Sequence, residues 1–187
     1  MRLFVAVDLG DEVVRTVDEQ VQKLRRRAPD AKWIDAHKMH VTLVFLGHTD
    51  EARAQEVGDA VRAAAAGHEP LTISVESGGG FGTRKAPRVL WIGLAGEIDA
   101  LGRLQQDVAQ RMEALGFEME KRPFKPHLTL ARARELRGDP ALARCVEELE
   151  GKSFGKARVT ELILFESKLS PKGAQYTPLV KAPLGHR

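Results

Sequence analysis

His40-Val41-Thr42-Leu43 and His127-Leu128-Thr129-Leu130 are one short pattern written twice, each inside an apolar run. Along a strand, side chains alternate between faces, so residues two apart share one. Each copy therefore sets an imidazole beside a hydroxyl and turns Val41 and Leu43, or Leu128 and Leu130, to the opposite face. The surroundings repeat as well. Arg2 to Val7 reads as a strand, and an amphipathic helix from about Asp11 to Arg27 follows, with Val14, Val17, Val21 and Leu24 at helical spacing. Arg88 to Ile92 reads as a second strand, followed by a helix from about Glu97 to Leu115 with Ile98, Leu101, Leu104, Val108 and Met112 on one face. From Arg2 to His40 is 38 positions and from Arg88 to His127 is 39. A chain of this kind must place two strand–helix–strand units, roughly 1–47 and 87–132, so that the histidine pattern falls at matching places. Two copies make a duplication rather than a solenoid.

A lone histidine on a strand reads as a packed imidazole with a satisfied hydrogen bond. With only 6 histidines in the chain, two His-x-Thr-Leu tetrads arise by shuffling in roughly one of a few thousand sequences. Two imidazoles facing one cleft, each beside a hydroxyl donor, suit acid–base work on a phosphate ester near neutral pH. Arg84, Lys85 and Arg88 precede one strand, and Lys121, Arg122, Lys125, Arg132, Arg134 and Arg137 surround the second motif. Such a basic rim attracts phosphodiesters, although the net charge of +3 is modest and at least half of these cations read as ordinary solvated surface.

Length and composition narrow the class. The 187 residues, 43% hydrophobic, fit one domain or two closely packed lobes, and no linker divides them, so 1–187 is expected to be a single two-lobed unit. No apolar stretch is long enough to span a bilayer and the N-terminus does not read as a signal peptide. The single cysteine, Cys145, excludes an internal disulfide and a cysteine-based zinc site. A cytoplasmic protein is the expectation.

The remaining segments read as a helix from Asp50 or Glu51 to Ala66, a strand from Leu71 to Val75, and a flexible loop over Ser77 to Thr83. A short helix starts at Asp139-Pro140, and two strands, Ala157 to Ser167 and Gln175 to Val180, close the chain through a turn at Ser170 to Ala174. The glycine run is no phosphate loop: it lacks Gly-Lys-Ser/Thr and a strand follows it. As a covering loop it would offer Phe81 for stacking. His37 and His40 stand at i and i+3 without accompanying carboxylates or cysteines, so no metal site is expected.

The motifs, the opening Arg2-Leu3-Phe4-Val5-Ala6-Val7-Asp8-Leu9, the run Pro123-Phe124-Lys125-Pro126-His127-Leu128-Thr129-Leu130-Ala131-Arg132 and the closing Tyr176-Thr177-Pro178-Leu179 resemble the two-histidine phosphoesterases. Within them, the chain is similar over essentially its whole length to the RNA 2′,3′-cyclic phosphodiesterases once described as 2′-5′ RNA ligases. That resemblance implies an α+β, bilobed fold in which two antiparallel sheets face a central cleft with helices packed outside. It implies metal-free, cofactor-free opening of a 2′,3′-cyclic phosphate at an RNA 3′ end to a 2′-phosphate. By the same carry-over His40 is the proton donor and His127 the proton acceptor. Thr42, Thr129 and Arg132 hold the phosphate, and Phe124 and Lys125, just before the second motif, join the substrate-binding residues. Expected partners are RNA ends, among them tRNA fragments, or small nucleotides, with no obligate protein partner. Two readings compete: the same site joining cyclic-phosphate and 5′-hydroxyl ends as a 2′-5′ ligase, and a non-catalytic RNA-binding module. The chain's 7 Phe, 1 Tyr and 2 Trp weaken the last. Which imidazole gives the proton follows from the resemblance, not from the residues.

Overall fold

A computed structural model describes residues 1–185. The strands are β1 (Arg2–Val7), β2 (Lys32–Trp33), β3 (Val41–His48), β4 (Leu71–Gly82), β5 (Pro87–Gly96), β6 (His127–Arg132), β7 (Ser153–Val159), β8 (Glu161–Ser170) and β9 (Gly173–Pro183). The helices are α1 (Asp11–Arg25), α2 (Ala54–Ala66), α3 (Ile98–Ala114) and α4 (Pro140–Leu149). One antiparallel sheet has the order β3-β1-β8-β9 and the other β2-β6-β5-β4-β7. The two motif strands are thus antiparallel neighbours of β1 and β5, as the repeat requires.

The helices form where periodicity and capping agree. The buried stripe of α1 runs Val13, Val17, Val21, Leu24, so Val13 rather than Val14 heads it. Acidic Asp11 and Glu12 open it and Lys23 and Arg25 close it, matching the helix dipole. At α4, Asp139 caps the N-terminus by accepting from the Ala141 N–H at 2.9 Å, with Pro140 in the first turn. The expected helix over 50–66 begins as a short 3₁₀ turn at Glu51–Arg53, where Asp50 accepts from the Ala52 N–H, and then continues as α2.

Each sheet is covered by a helix from the other repeat. The first unit's α1 packs on β7 and α4, at the far end of the second sheet. The Cys145 thiol of α4 meets the Leu24 carbonyl at 3.9 Å, and Arg27 pairs with Glu148. The second unit's α3 packs on β3 and on α2, with Gln105 Nε2 donating to the Leu43 carbonyl at 3.4 Å. After α1 the chain even adds β2 to the second sheet before returning to β3 in the first. The main apolar core therefore draws on both repeats at once. Cys145 lies fully inside it, and burial pushes its thiol up to about 11.

Two expectations are corrected. The glycine run is not a loop but the second half of β4, paired with β5 and bulged at Ser77, whose φ is +61°. Glycine there serves close approach: a Cβ on Gly78 would stand under 3.0 Å from Leu149 of α4, and one on Gly79 under 3.0 Å from the Trp91 ring. The apolar stretch 157–167 is not one strand. It breaks at Thr160 into β7 and β8, which belong to different sheets.

Candidate active site

Strand parity assigns the inner residues. Leu3, Val5 and Val7 of β1 and Val41 and Leu43 of β3 enter the main core under the helices. Phe4 and Ala6, with Ile163 and Phe165 of β8, form a separate cluster on the opposite face, and Tyr176 of β9 packs against it. His40, half-buried just ahead of β3, stands on that face with its ring 4.5 Å from Phe165 and 6.3 Å from Tyr176 between centroids. Thr42 pairs with Ala6 and points the same way by alternation.

Both motif strands then bulge at the same place. Against β1 the register passes from Thr42 to Val44 and skips Leu43. Against β5 it passes from Thr129 to Ala131 and skips Leu130. The final Leu of each tetrad is the extra residue, so it and its successor, Val44 or Ala131, both enter the core. The next residue is thereby returned to the inner face. Plain alternation would bury Arg132 beside Leu128 and Leu130; the bulge instead leaves it exposed, lining one cavity with His40 and Thr42. In the first repeat the matching position is Phe45, 71% exposed and lining the same cavity.

That cavity has a volume of about 410 Å³ and draws its walls from both sheets: Arg2, Phe45 and Tyr176 on one side, Arg132 on the other. His127 and Thr129 do not line it. They sit further back along β6, among Phe81 and Trp91. The Phe81 ring meets His127 edge-on at 5.0 Å, and Trp91 lies 6.3 Å from it, across the bare backbone of Gly79.

The two imidazoles are held differently. His127 Nδ1 lies 2.7 Å from the Lys125 carbonyl oxygen, which can only accept. Nδ1 must therefore carry hydrogen, and in the neutral ring Nε2 holds the free lone pair. His40 Nδ1 is buried without a hydrogen-bond partner of normal geometry. Burial lowers the His40 pKa below 6.5; the nearby Asp8 carboxylate and the Lys38 backbone oppose this in part, and His37 adds to it.

The other expected site residues fall outside the cavity. Phe124 packs against the core in a separate shallow depression beside Ile98, Gly102 and Arg103 of α3. The Lys125 side chain is exposed, and its contact with the site runs through its carbonyl. Part of the basic rim is internally engaged: Arg122 pairs with Glu120, Arg137 with Glu135, and Arg134 donates to the Asp30 carbonyl at 2.7 Å. Sequence reasoning missed Phe4, Phe45, Phe165, Tyr176 and Trp91. A signal existed for Phe4 and Trp91, which alternate with core residues on their strands, but none for Phe45, whose direction depends on the bulge. Among the described residues no group of three His, Cys, Asp or Glu side chains is placed to hold a metal ion, and no helix is long and apolar enough to cross a membrane.

Residues 13–170 match the model of the 2′-5′ RNA ligase superfamily. An RNA 2′,3′-cyclic phosphodiesterase of Archaeoglobus fulgidus is 35% identical over 96% of this chain and 98% of its own length. Its namesake in Methanothermobacter thermautotrophicus is 32% identical over 96% of each chain. Among solved structures, TT0787 of Thermus thermophilus superposes with a TM-score of 0.81 at 30% identity, covering all of both chains. Escherichia coli LigT complexed with 3′-AMP gives 0.76 at 26% identity over 99% of this chain and 98% of that one. By the span of the family match and the likeness of these relatives, the chain belongs to the 2′-5′ RNA ligase superfamily.

Proposed function

We propose that this protein hydrolyses RNA 2′,3′-cyclic phosphate ends to 2′-phosphate ends, with His40 and His127 as a metal-independent acid–base pair. The observation that carries the reading is the doubled motif: His40 with Thr42, and His127 with Thr129, at equivalent places on two facing sheets. Relatives named RNA 2′,3′-cyclic phosphodiesterase over nearly the whole chain support the substrate class.

In this scheme His127 Nε2 takes a proton from water, whose oxygen attacks phosphorus. The P–O3′ bond breaks and His40 gives its proton to O3′, leaving a 3′-hydroxyl and a 2′-phosphomonoester. The hydrogen bond from His127 to Lys125 suits the base, because it leaves Nε2 free to accept. Burial of His40 by itself favours the neutral ring. The negative charge of a bound phosphodiester opposes that and favours the imidazolium needed for donation. Thr42, Thr129 and Arg132 hydrogen-bond the non-bridging oxygens as charge builds on them. Residues 1–187 act as a single two-lobed unit, because exchanged helices leave neither repeat with a core of its own. The partner is an RNA end, in the cytoplasm, with no protein partner needed for the chemistry.

An oligoribonucleotide ending in a 2′,3′-cyclic phosphate, incubated with the protein in EDTA, is expected to yield a 2′-phosphate. No turnover in EDTA, a 3′-phosphate product, or ligation to 5′-hydroxyl RNA in preference to hydrolysis overturns the reading.

A further inference from the structure

The cavity that holds His40 and Thr42 is lined by three cations and by no carboxylate. Arg2 comes from β1, Arg132 from β6, and Lys38 from the 3₁₀ turn Ala36–Lys38 that leads into β3. None of the three belongs to an ion pair among the described residues. A cyclic phosphodiester carries one negative charge, and a phosphomonoester product about 1.5 to 2. The two arginines match that charge, and Lys38 exceeds it.

The place of Lys38 says what it can reach. Met39, buried between Lys38 and His40, has extended backbone with φ −78° and ψ 105°. Lys38 and His40 therefore leave the chain on the same side, with Cα atoms at most about 7 Å apart. One ribose bridges such a gap between consecutive phosphates. The ammonium lies against the β8–β9 turn: a Cβ on Gly173 would stand 3.5 Å from Lys38 Nζ. That turn is the tip of an overhang. Pairing with β1 stops at Arg2 opposite Ser167, whereas β8 and β9 stay paired out to Ser170 and Gly173. Ser170 Oγ fixes the tip, accepting from the Lys172 N–H at 3.3 Å and donating to the Gly173 carbonyl at 2.7 Å. Leu169 of the overhang lines the cavity and is 73% exposed, so the cavity opens to solvent there.

We propose that Lys38 binds the phosphate on the 5′ side of the terminal nucleoside, so that the protein reads two consecutive phosphates and takes an RNA chain in preference to a cyclic mononucleotide; this rests on the phosphodiesterase reading above. The reacting phosphate sits with His40, Thr42 and Arg132, the next one meets the Lys38 ammonium in a charge-assisted hydrogen bond, and the chain leaves over the β8–β9 overhang. Lys38 is half-buried on a turn held by the buried Met39, so less side-chain freedom is lost on binding than at an open surface lysine.

The test compares two diadenosine substrates that both end in a 2′,3′-cyclic phosphate. One has a natural internucleotide phosphate and the other an uncharged methylphosphonate linkage. The readout is the ratio of their kcat/KM values, which cancels any general loss of folding or of chemistry in a variant. Wild-type protein is expected to favour the charged linkage about tenfold, the worth of one charge-assisted hydrogen bond. Lys38→Gln should bring the ratio near one, and Lys38→Arg should keep it. Lys172, exposed on the adjoining turn, controls for diffuse positive charge, and Lys172→Gln should leave the ratio in place. A wild-type ratio near one, a ratio kept in Lys38→Gln, or an equal fall in Lys172→Gln overturns the second phosphate site while leaving the phosphodiesterase reading intact. If wild-type protein opens neither diadenosine substrate nor the oligoribonucleotide above, both fall.

Discussion

The two histidine pockets come from near-identical tetrapeptides and are physically unlike. His40 stands on a packed aromatic floor, Phe4, Phe165 and Tyr176, with a buried Nδ1 lacking a partner and a lowered pKa. His127 is anchored through Nδ1 to a main-chain carbonyl and wedged by Phe81 and Trp91 against a strand thinned by glycine. A duplicated motif supplies two equivalent side chains, and the fold then sets them in unlike surroundings. In the proposed scheme one imidazole must start protonated and the other neutral, and it is the charge of the bound phosphodiester, against the burial of His40, that favours its imidazolium.

The sharpest way to break the comparison is to remove each imidazole. His40→Gln and His127→Gln are each expected to cost about 10²–10⁴-fold in kcat/KM, and the double variant less than the product of the two, because the pair acts as a unit. Their pH profiles should differ. The base must be neutral and the acid protonated, so His127→Gln should erase the acidic limb of kcat/KM and His40→Gln the alkaline one. Loss of the same limb in both variants would cancel the assignment of roles.

A second test attacks only the His127 pocket. Gly79→Ala places a methyl under 3.0 Å from the Trp91 ring, which must tilt and press on Phe81 and His127. Urea melts should show a loss of about 1–3 kcal/mol, and the His127 ring resonances should shift in NMR spectra while those of His40 stay in place. Movement of both would mean the pockets are not independent.

The smallest effect belongs to the His40 pocket. Phe165→Leu opens space beside the imidazole. Relief of desolvation should bring the His40 pKa back up toward 6.5, read directly by NMR titration. The sign carries into stability. A folded pKa below the unfolded one means that the unfolded chain binds more protons below pH 6.5. Stability attached to neutral His40 is therefore complete above 6.5 and is lost as pH falls through the folded value. Phe165→Leu should shrink that acid-side loss, and His40→Gln should remove it; an unchanged slope in both would refute a desolvated His40.

Much of this was legible before any coordinates. Helices α1, α3 and α4 follow from apolar spacing and capping residues, and the core face of Leu128 and Val41 from alternation. His40, Thr42, His127 and Thr129 stood out because both copies obey strand parity. Arg132 was named by resemblance, although unbroken parity would have buried it; its exposure comes from the bulge at Leu130. The glycine run is ambiguous in sequence because glycine marks both mobile turns and close backbone approach, and only the presence of Leu149 against Gly78 and Trp91 against Gly79 distinguishes them.

The sequence by itself determined the elements, their repeat and the pairing of imidazole with hydroxyl, since these rest on periodicity among neighbours in the chain. The tertiary structure alone decided that α1 covers the second sheet and α3 the first, that residues 157–167 divide between sheets, and that Phe45 and Arg132 meet in one cavity. It also decided that one imidazole is desolvated and the other anchored. The physical reason is range. A hydrophobic stripe records that a face must be buried, not against what, and a histidine's proton affinity depends on side chains distant in sequence that close around it on folding.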